Sequence, residues 1–174
     1  YSRAPIFGKD TIEREWVLNQ RKLLKKYYNS IDEQGLDVCC HMDVIVFPIN
    51  VTKNFPEILN EQGKIDIALP MTKSLIEDMF DEMFEVFPCL KGIYVRFGET
   101  YTGKTYGAPY HTGNNPIIGD HDEYHALLMN YLREIVCEKH QRNIYYRTWS
   151  WINGIGVDPF QYEPETYLRI TNLV

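Results

Sequence analysis

The sequence predicts an α/β fold in which parallel strands alternate with helices. Short runs rich in β-branched, aromatic and sulfur-containing residues begin near Val38, Ile93 and Ile144, about fifty residues apart. Between these runs the apolar residues recur at helical spacing. Crossovers that pass through a helix are right-handed and make consecutive strands parallel, so the order of elements predicts a parallel sheet.

The first helix is expected to begin at Asp10 or Thr11, either of which can cap it, and to stop at Gly35. Its apolar residues roughly share one stripe: Trp16, Leu23, Leu24, Tyr27, Tyr28 and Ile31. The strand that follows is predicted over Val38 to Phe47. From Asn50 to Pro70 there is no sustained period, and we expect a loop with one short helix near Glu57.

The second helix has the clearest pattern in the chain. Its apolar residues fall at i, i+3, i+4 and i+7: Leu75, Ile76, Met79, Phe80, Met83, Phe84 and Phe87. Thr72 or Ser74 is expected to cap it, and Pro88 to end it. The strand Ile93 to Phe97 comes next.

A loop over Glu99 to Asp122 then leads to a third helix. The apolar positions of this helix are Tyr124, Leu127, Leu128, Tyr131, Leu132, Ile135 and Val136. The third strand is predicted over Ile144 to Trp151. After a loop that contains Asn153 and Gly154, a last helix is expected to start at Pro164 or Glu165.

A unit of about fifty residues suits a section of a TIM-type (β/α)₈ barrel, because eight such units need about four hundred residues. Residues 1–174 are therefore predicted to form a single α/β region that belongs to a larger barrel. A small open α/β sheet is the alternative that periodicity leaves open.

Composition excludes several classes of protein. The chain has 174 residues, a net charge of −6 and a pI near 5.4, without the basic stripe that a general nucleic-acid binder needs. No apolar run is long enough to cross a bilayer, so we expect no membrane span. The sequon at Asn50 matters only for a secreted protein, and the sequence does not distinguish secretion from a cytoplasmic location.

We expect no metal and no other cofactor. Cys39, Cys40, Cys89 and Cys137 lack metal-ligand spacing, so buried thiols are favoured over disulfides or a zinc site. The run 120–123 reads Asp-His-Asp-Glu at a helix start, where capping is favoured over metal binding. The His41-Met42-Asp43 run has no second paired histidine motif to complete a metal site.

The candidate site lies on one face of the predicted sheet. Alternation assigns to this face His41 and Asp43 of the first strand, Tyr94 and Arg96 of the second, and Tyr145, Arg147 and Trp149 of the third. In a barrel these positions point inward, toward the carboxyl rim. The alternative is that Asp43 forms a structural ion pair with one of the arginines.

Glu99 presents a carboxylate directly after the second strand, where parallel α/β proteins place their chemistry. Strict alternation puts it on the opposite face from Arg96, unless Gly98 allows a bulge. Capping of a loop amide is the alternative role. The loop beyond it offers aromatic faces and polar edges that suit a sugar ring, from Tyr101, Tyr110, His111 and Asn114, although these tyrosines could instead pack the loop on itself.

Several motifs resemble those of barrel-type glycoside hydrolases related to the α-glucuronidases. They are Phe87-Pro88, the run from Gly92 to Tyr101 that contains Arg-Phe-Gly-Glu, Tyr110-His111-Thr112-Gly113-Asn114, Tyr145-Tyr146-Arg147-Thr148-Trp149 and Tyr167-Leu168-Arg169. The resemblance covers about the last hundred residues. It implies that Glu99 acts as general acid and that Arg96 or Arg147 holds a substrate carboxylate. In the inverting members it implies a base on later strands, beyond Val174.

Glycoside cleavage requires two carboxyl groups, and Asp43 is the strand-borne partner that the sequence offers to Glu99. The sequence thus predicts a glycoside hydrolase that acts on an acidic or plant-type glycan, with a carbohydrate as its partner. The alternative is a non-catalytic α/β domain that binds a ligand or a protein.

Overall fold

The computed structural model describes residues 6–45, 47–98, 122–152 and 155–157, together with Glu165, Leu168 and Asn172, which are helical. The elements are α1 (Ile12–Asp32), β1 (Val38–Met42), α2 (Ile49–Asn54), a 3₁₀ turn (Pro56–Ile58), α3 (Pro70–Val86), β2 (Leu90–Gly98), α4 (Asp122–Leu132), a π-helical segment (Arg133–Lys139), β3 (Asn143–Ile152) and β4 (Ile155–Val157). The predicted alternation of helices and strands is confirmed in this part of the chain.

The strands form one sheet in the order β1-β2-β3-β4. β1, β2 and β3 pair in parallel, whereas β4 pairs with β3 in the antiparallel sense. The prediction of a parallel α/β fold is confirmed, and the architecture is that of a small open sheet. β4 was not predicted.

Helices cover one face of the sheet, and among the described residues no element covers the other, which we call the uncovered face. Cys40, Ile93 and Ile144 lie side by side on the covered face, followed by Met42, Val95 and Tyr146. Ile93 and Val95 are fully buried there, in one core with apolar residues of α3 and α4 such as Phe80 and Leu128. Side chains alternate along a strand, so burial of these apolar residues on the covered face places the intervening positions on the opposite face.

α1 begins and ends as the sequence predicts. Thr11 caps it, since its Oγ1 accepts a hydrogen bond from the Arg14 backbone N–H at 3.3 Å. Gly35 follows the helix with φ of +75°, a left-handed conformation that glycine adopts without steric cost. None of the 21 residues of α1 is buried, although Tyr28 of its predicted apolar stripe packs against the core.

β1 is shorter than predicted. It ends at Met42, so the prediction that the strand continues to Phe47 is wrong. Val44 and Ile45 lie in a turn, each with 1% of its surface exposed. Both are buried, but neither pairs in the sheet. A run of β-branched residues predicts a buried strand, and here the burial is achieved by a turn, so the predicted end of the strand was too late.

The predicted cap of α3 is also wrong. The helix begins at Pro70, whose missing N–H is not needed in the first turn, and Leu69 occupies the N-cap without a side-chain hydrogen bond. Thr72 is fully buried, and its Oγ1 donates to the Asp66 carbonyl at 2.6 Å. That bond fastens the preceding loop to the helix. The predicted end of α3 before Pro88 is confirmed.

Ion pairs join α3 to the helical segment that precedes β3. Lys73 Nζ lies 2.6 Å from Glu134, and Lys139 Nζ lies 2.6 Å from Glu77. Asp81 accepts from Lys139 at 2.8 Å and lies 2.7 Å from His140 Nε2. Burial of Asp81 opposes its charged form, but these two partners outweigh that effect and hold the pKa of the carboxyl below its usual value.

The long loop predicted after Asn50 contains two helical turns, α2 and the 3₁₀ turn Pro56–Ile58, where one was expected near Glu57. All four cysteines are free thiols, and Cys89 is the one that is buried. Across the described ranges, the helices are too short or too polar to span a bilayer.

Candidate functional site

The uncovered face of the sheet carries the predicted site residues of the strands in register. His41 of β1 pairs with Tyr94 of β2, which pairs with Tyr145 of β3. One step toward the carboxyl ends of the strands, Arg96 pairs with Arg147. Because partners in a parallel ladder share a side of the sheet, His41, Tyr94 and Tyr145 occupy one face, and Arg96 and Arg147 are paired positions of the same ladder.

The first row is an exposed aromatic surface. The rings of Tyr94 and Tyr145 stack with centroids 4.6 Å apart and an interplanar angle of 17°. They remain 44% and 40% exposed, and His41 beside them is exposed as well. The sequence placed both tyrosines on this face but did not select them as binding residues. Each tyrosine directly follows the predicted start of its strand, Ile93 or Ile144, and this equal position was the signal that could have identified the pair.

The second row places two arginine positions on neighbouring strands. Paired residues in a sheet lie about 5 Å apart, so the two arginines occupy adjacent backbone positions of the ladder. Like charges directly opposite each other destabilise a sheet unless an anion lies near them. A carboxylate or phosphate is the partner that planar guanidinium groups bind through paired hydrogen bonds.

The third row pairs Gly98 with Trp149, close to the carboxyl ends of β2 and β3. The register runs without a shift from Gly92 to Gly98, so the described pairing contains no bulge ahead of Glu99. Glu99 follows Gly98, the last residue of β2, in the chain.

Asp43 lies outside the ladder, since β1 ends one residue earlier, at Met42. It is partly buried and is engaged in an interaction of its own. The sequence predicts Asp43 on the first strand, and this is wrong, because Asp43 is the first residue after β1. That position is still at the carboxyl end of β1, the edge of the sheet toward which Arg96 and Arg147 lie.

The remaining predicted site residues lie outside the part of the chain that the structure describes. They are Glu99, Tyr101, Tyr110, His111 and Asn114. Their roles stay predictions that rest on the sequence. Of the run 120–123, Asp122 is the first residue of α4, where a carboxylate offsets the positive end of the helix dipole.

Within the described ranges, no three His, Cys, Asp or Glu side chains come together as possible metal ligands. A cavity of about 250 Å³ lies at the amino-terminal half of α1, away from the strand residues of the site. Its lining is mostly apolar: Ile6, Phe7, Arg14, Val17, Leu18, Arg21 and Pro48.

Comparison of the chain with protein-family models, curated proteins and solved structures finds no match. The geometry of the uncovered sheet face is therefore the basis for a functional proposal.

Proposed function

We propose that this chain is part of the catalytic barrel of a glycoside hydrolase that acts on an acidic or plant-type glycan. The observation that carries the proposal is the register of the strands, which pairs Arg96 with Arg147 at the carboxyl end of a parallel sheet. Substrates of parallel α/β folds bind at that end. Two neighbouring arginines there suit the carboxylate of a uronic acid.

Glu99 is the general acid in this proposal. It follows the central strand directly, and the resemblance of Arg96-Phe97-Gly98-Glu99 to the α-glucuronidase-related enzymes assigns it that role. A glutamate in a partly desolvated pocket can keep its proton near neutral pH, as an acid catalyst must. Asp43, at the end of the adjacent strand, is the second carboxyl group that this chain offers.

The order of the strands supports a barrel section. β1, β2 and β3 are neighbours in the sheet in the same order as in the sequence, as in a (β/α)₈ barrel. α3 and α4 pack on one face, and the uncovered face carries the polar residues. Continued addition of βα units would turn that face toward the barrel interior.

The proposal is tested by replacing Glu99 in the natural polypeptide that contains this chain. Glu99→Gln keeps the shape of the side chain but removes the acid. We expect kcat on alkyl uronides to fall by about 10²-fold or more, the range that general acid catalysis contributes. Glu61→Gln, which changes an exposed loop glutamate in the same way, is the control and should retain full activity. Full activity of Glu99→Gln would rule out the assignment.

A non-catalytic binding domain is the second candidate, and the exposed Tyr94–Tyr145 stack favours it. Aromatic faces bind sugar rings without any need for a catalytic carboxylate. Isothermal titration of the chain with glucuronate and with glucose separates the two functions. Loss of glucuronate binding in Arg147→Ala favours recognition of the carboxylate. Binding of both sugars that survives Arg147→Ala but is lost in Tyr145→Ala favours simple aromatic docking.

A further inference from the structure

α1 exposes an apolar stripe that no described part of the chain covers. Its members are Ile12, Trp16, Leu23 and Tyr27, with 78%, 63%, 45% and 55% of their surfaces exposed. Single exposed apolar residues are common, but a contiguous row along one helix indicates an interaction surface. We call these four residues the α1 stripe.

The α1 stripe points away from the rest of the fold. At about 100° per residue, its members lie within roughly 60° of one another around the helix. Arg21 forms an ion pair with Glu82 of α3, and Tyr28 packs on Phe87 at the end of α3. These two inward residues lie roughly 100° to 180° from the stripe, so closure of the sheet into a barrel would leave most of the stripe at the outer surface.

The spacing of the α1 stripe is symmetric about its centre. Ile12 and Trp16 are separated by the same interval as Leu23 and Tyr27, and the midpoint lies between Asn19 and Gln20. An antiparallel copy of the helix centred there would set Ile12 against Tyr27 and Trp16 against Leu23. A two-fold interface requires this kind of self-complementary surface.

Charges beside the stripe select the antiparallel direction. Glu15, Lys22 and Lys26 lie along one flank of the α1 stripe, within roughly 40° of one another around the helix. All three are exposed, and none forms an ion pair with a described residue. An antiparallel copy brings Glu15 opposite Lys22 and Lys26, whereas a parallel two-fold copy places this flank against the other flank of the partner helix, so these charges do not meet.

We propose that α1 pairs in antiparallel fashion with α1 of a second copy of this chain, through the α1 stripe. A helix of 21 residues is about 30 Å long, and a contact about 10 Å wide would bury roughly 300 Å² on each copy. Stable interfaces bury about 800 Å² on each partner. The dimer is therefore weak, with a dissociation constant in the micromolar range or above.

Sedimentation equilibrium from about 5 µM to about 500 µM tests the association, because this range brackets such a constant. The weight-average mass should rise with concentration from 20.5 kDa toward twice that value. A constant mass of one chain over the whole range would overturn the proposal and leave the stripe to another partner.

Two substitutions show whether the α1 stripe makes the contact. Trp16→Glu places a charge against Leu23 twice in the dimer and should keep the chain monomeric at every concentration. Leu36→Glu is the matched control, because Leu36 is 62% exposed but lies outside α1, and it should associate as the unchanged chain does. Helix content from circular dichroism confirms that each variant folds. Association of Trp16→Glu at unchanged strength would overturn the proposal.

A charge exchange tests the direction of pairing. Glu15→Lys and Lys26→Glu should each weaken association by about fivefold, because each creates like-charge contacts twice in the dimer. Glu15→Lys combined with Lys22→Glu and Lys26→Glu restores opposite charges at every one of these contacts and should recover the original strength. A combined variant as weak as either single variant would overturn the antiparallel arrangement.

Discussion

At the scale of single residues, Gly92 of β2 lies close against the backbone of β3. A Cβ placed on Gly92 would lie 2.5 Å from the carbonyl oxygen of Asn143, its neighbour in the ladder. The obstacle is backbone, so it cannot rotate away as a side chain can. Gly92 thus sets how tightly the two strands that carry the arginine row can pair.

Gly92→Ala should lower the free energy of unfolding by about 1–3 kcal/mol, because the added methyl group forces the strands apart. Gly8→Ala is the control, since its new Cβ would meet only a side-chain methyl group, that of Thr11, at 3.2 Å. Urea denaturation of both variants measures the difference. Equal stability of the two would show that the close approach at Gly92 is not tight.

The pKa of Asp81 makes stability depend on pH. Since its folded-state pKa is below the ordinary 3.8, the ionised carboxyl stabilises the fold at any pH above that value. The contribution is lost as the pH falls through the lower, folded-state pKa. Lys139 is 43% exposed, so solvent limits the contribution to about 1 kcal/mol.

Asp81→Asn should therefore cost about 1 kcal/mol of unfolding free energy at pH 6, and this cost should shrink below pH 3.8. Asp78→Asn is the control, since Asp78 lies on the same helix without an ion pair among the described residues. Thermal unfolding between about pH 2.5 and pH 6 measures both. A cost that stays constant with pH would contradict the role of the carboxylate charge.

The sheet face of a candidate site residue could be predicted where that residue lies within a regular strand, because side chains alternate between the two faces. The period of two placed His41, Tyr94, Arg96, Tyr145 and Arg147 on one face, and the register pairs His41 with Tyr94, Tyr94 with Tyr145, and Arg96 with Arg147. Alternation says nothing about a residue beyond the end of a strand. Asp43 was therefore misplaced, because the end of β1 depends on how the turn at Val44 and Ile45 is buried.

At the scale of elements, α1 is held to α3 by a partly buried ion pair. The side chains of Arg21 and Glu82 are 26% and 9% exposed, and Glu82 lies on the inward part of α3. Loss of the arginine would leave the carboxylate in a poorly solvated place without its cation. This pair matters for α1 because the helix has no buried residue of its own.

Arg21→Gln should lower the free energy of unfolding by about 1–3 kcal/mol. Combining it with Glu82→Gln should cost less than the sum of the two single substitutions, because both remove the same interaction. Arg14→Gln, on the same helix and without an ion pair among the described residues, is the control. Denaturant titration of the set gives the coupling energy, and a sum that is strictly additive would contradict the pairing.

Helices were easier to predict than the ends of strands. α3 follows from seven apolar residues at helical spacing, of which Leu75, Ile76, Phe80 and Phe84 are buried and the other three pack against the core. β4 was missed although Asn153-Gly154, between Ile152 and Ile155, is a strong hairpin signal. The run was interpreted as a loop because β4 has only three residues, too few to show alternation.

At the scale of the whole molecule, sequential parallel strands and one uncovered polar face are the features from which we infer a barrel. Periodicity alone predicted the parallel sheet, because crossover geometry follows from the order of elements. Whether a sheet closes depends on strand pairs between its two edges. The local pattern of a sequence does not contain that information, so a barrel section and an open sheet were both consistent with it.

The most direct test of the central claim is how the effect of Glu99→Gln depends on the leaving group. A general acid is needed when the departing oxygen is basic, and it is not needed when the oxygen leaves readily as an anion. In the natural polypeptide that contains this chain, we expect Glu99→Gln to lose about 10²-fold or more of kcat on an alkyl uronide. It should lose little on a dinitrophenyl uronide. An equal loss on both substrates would contradict the assignment of Glu99 as the acid.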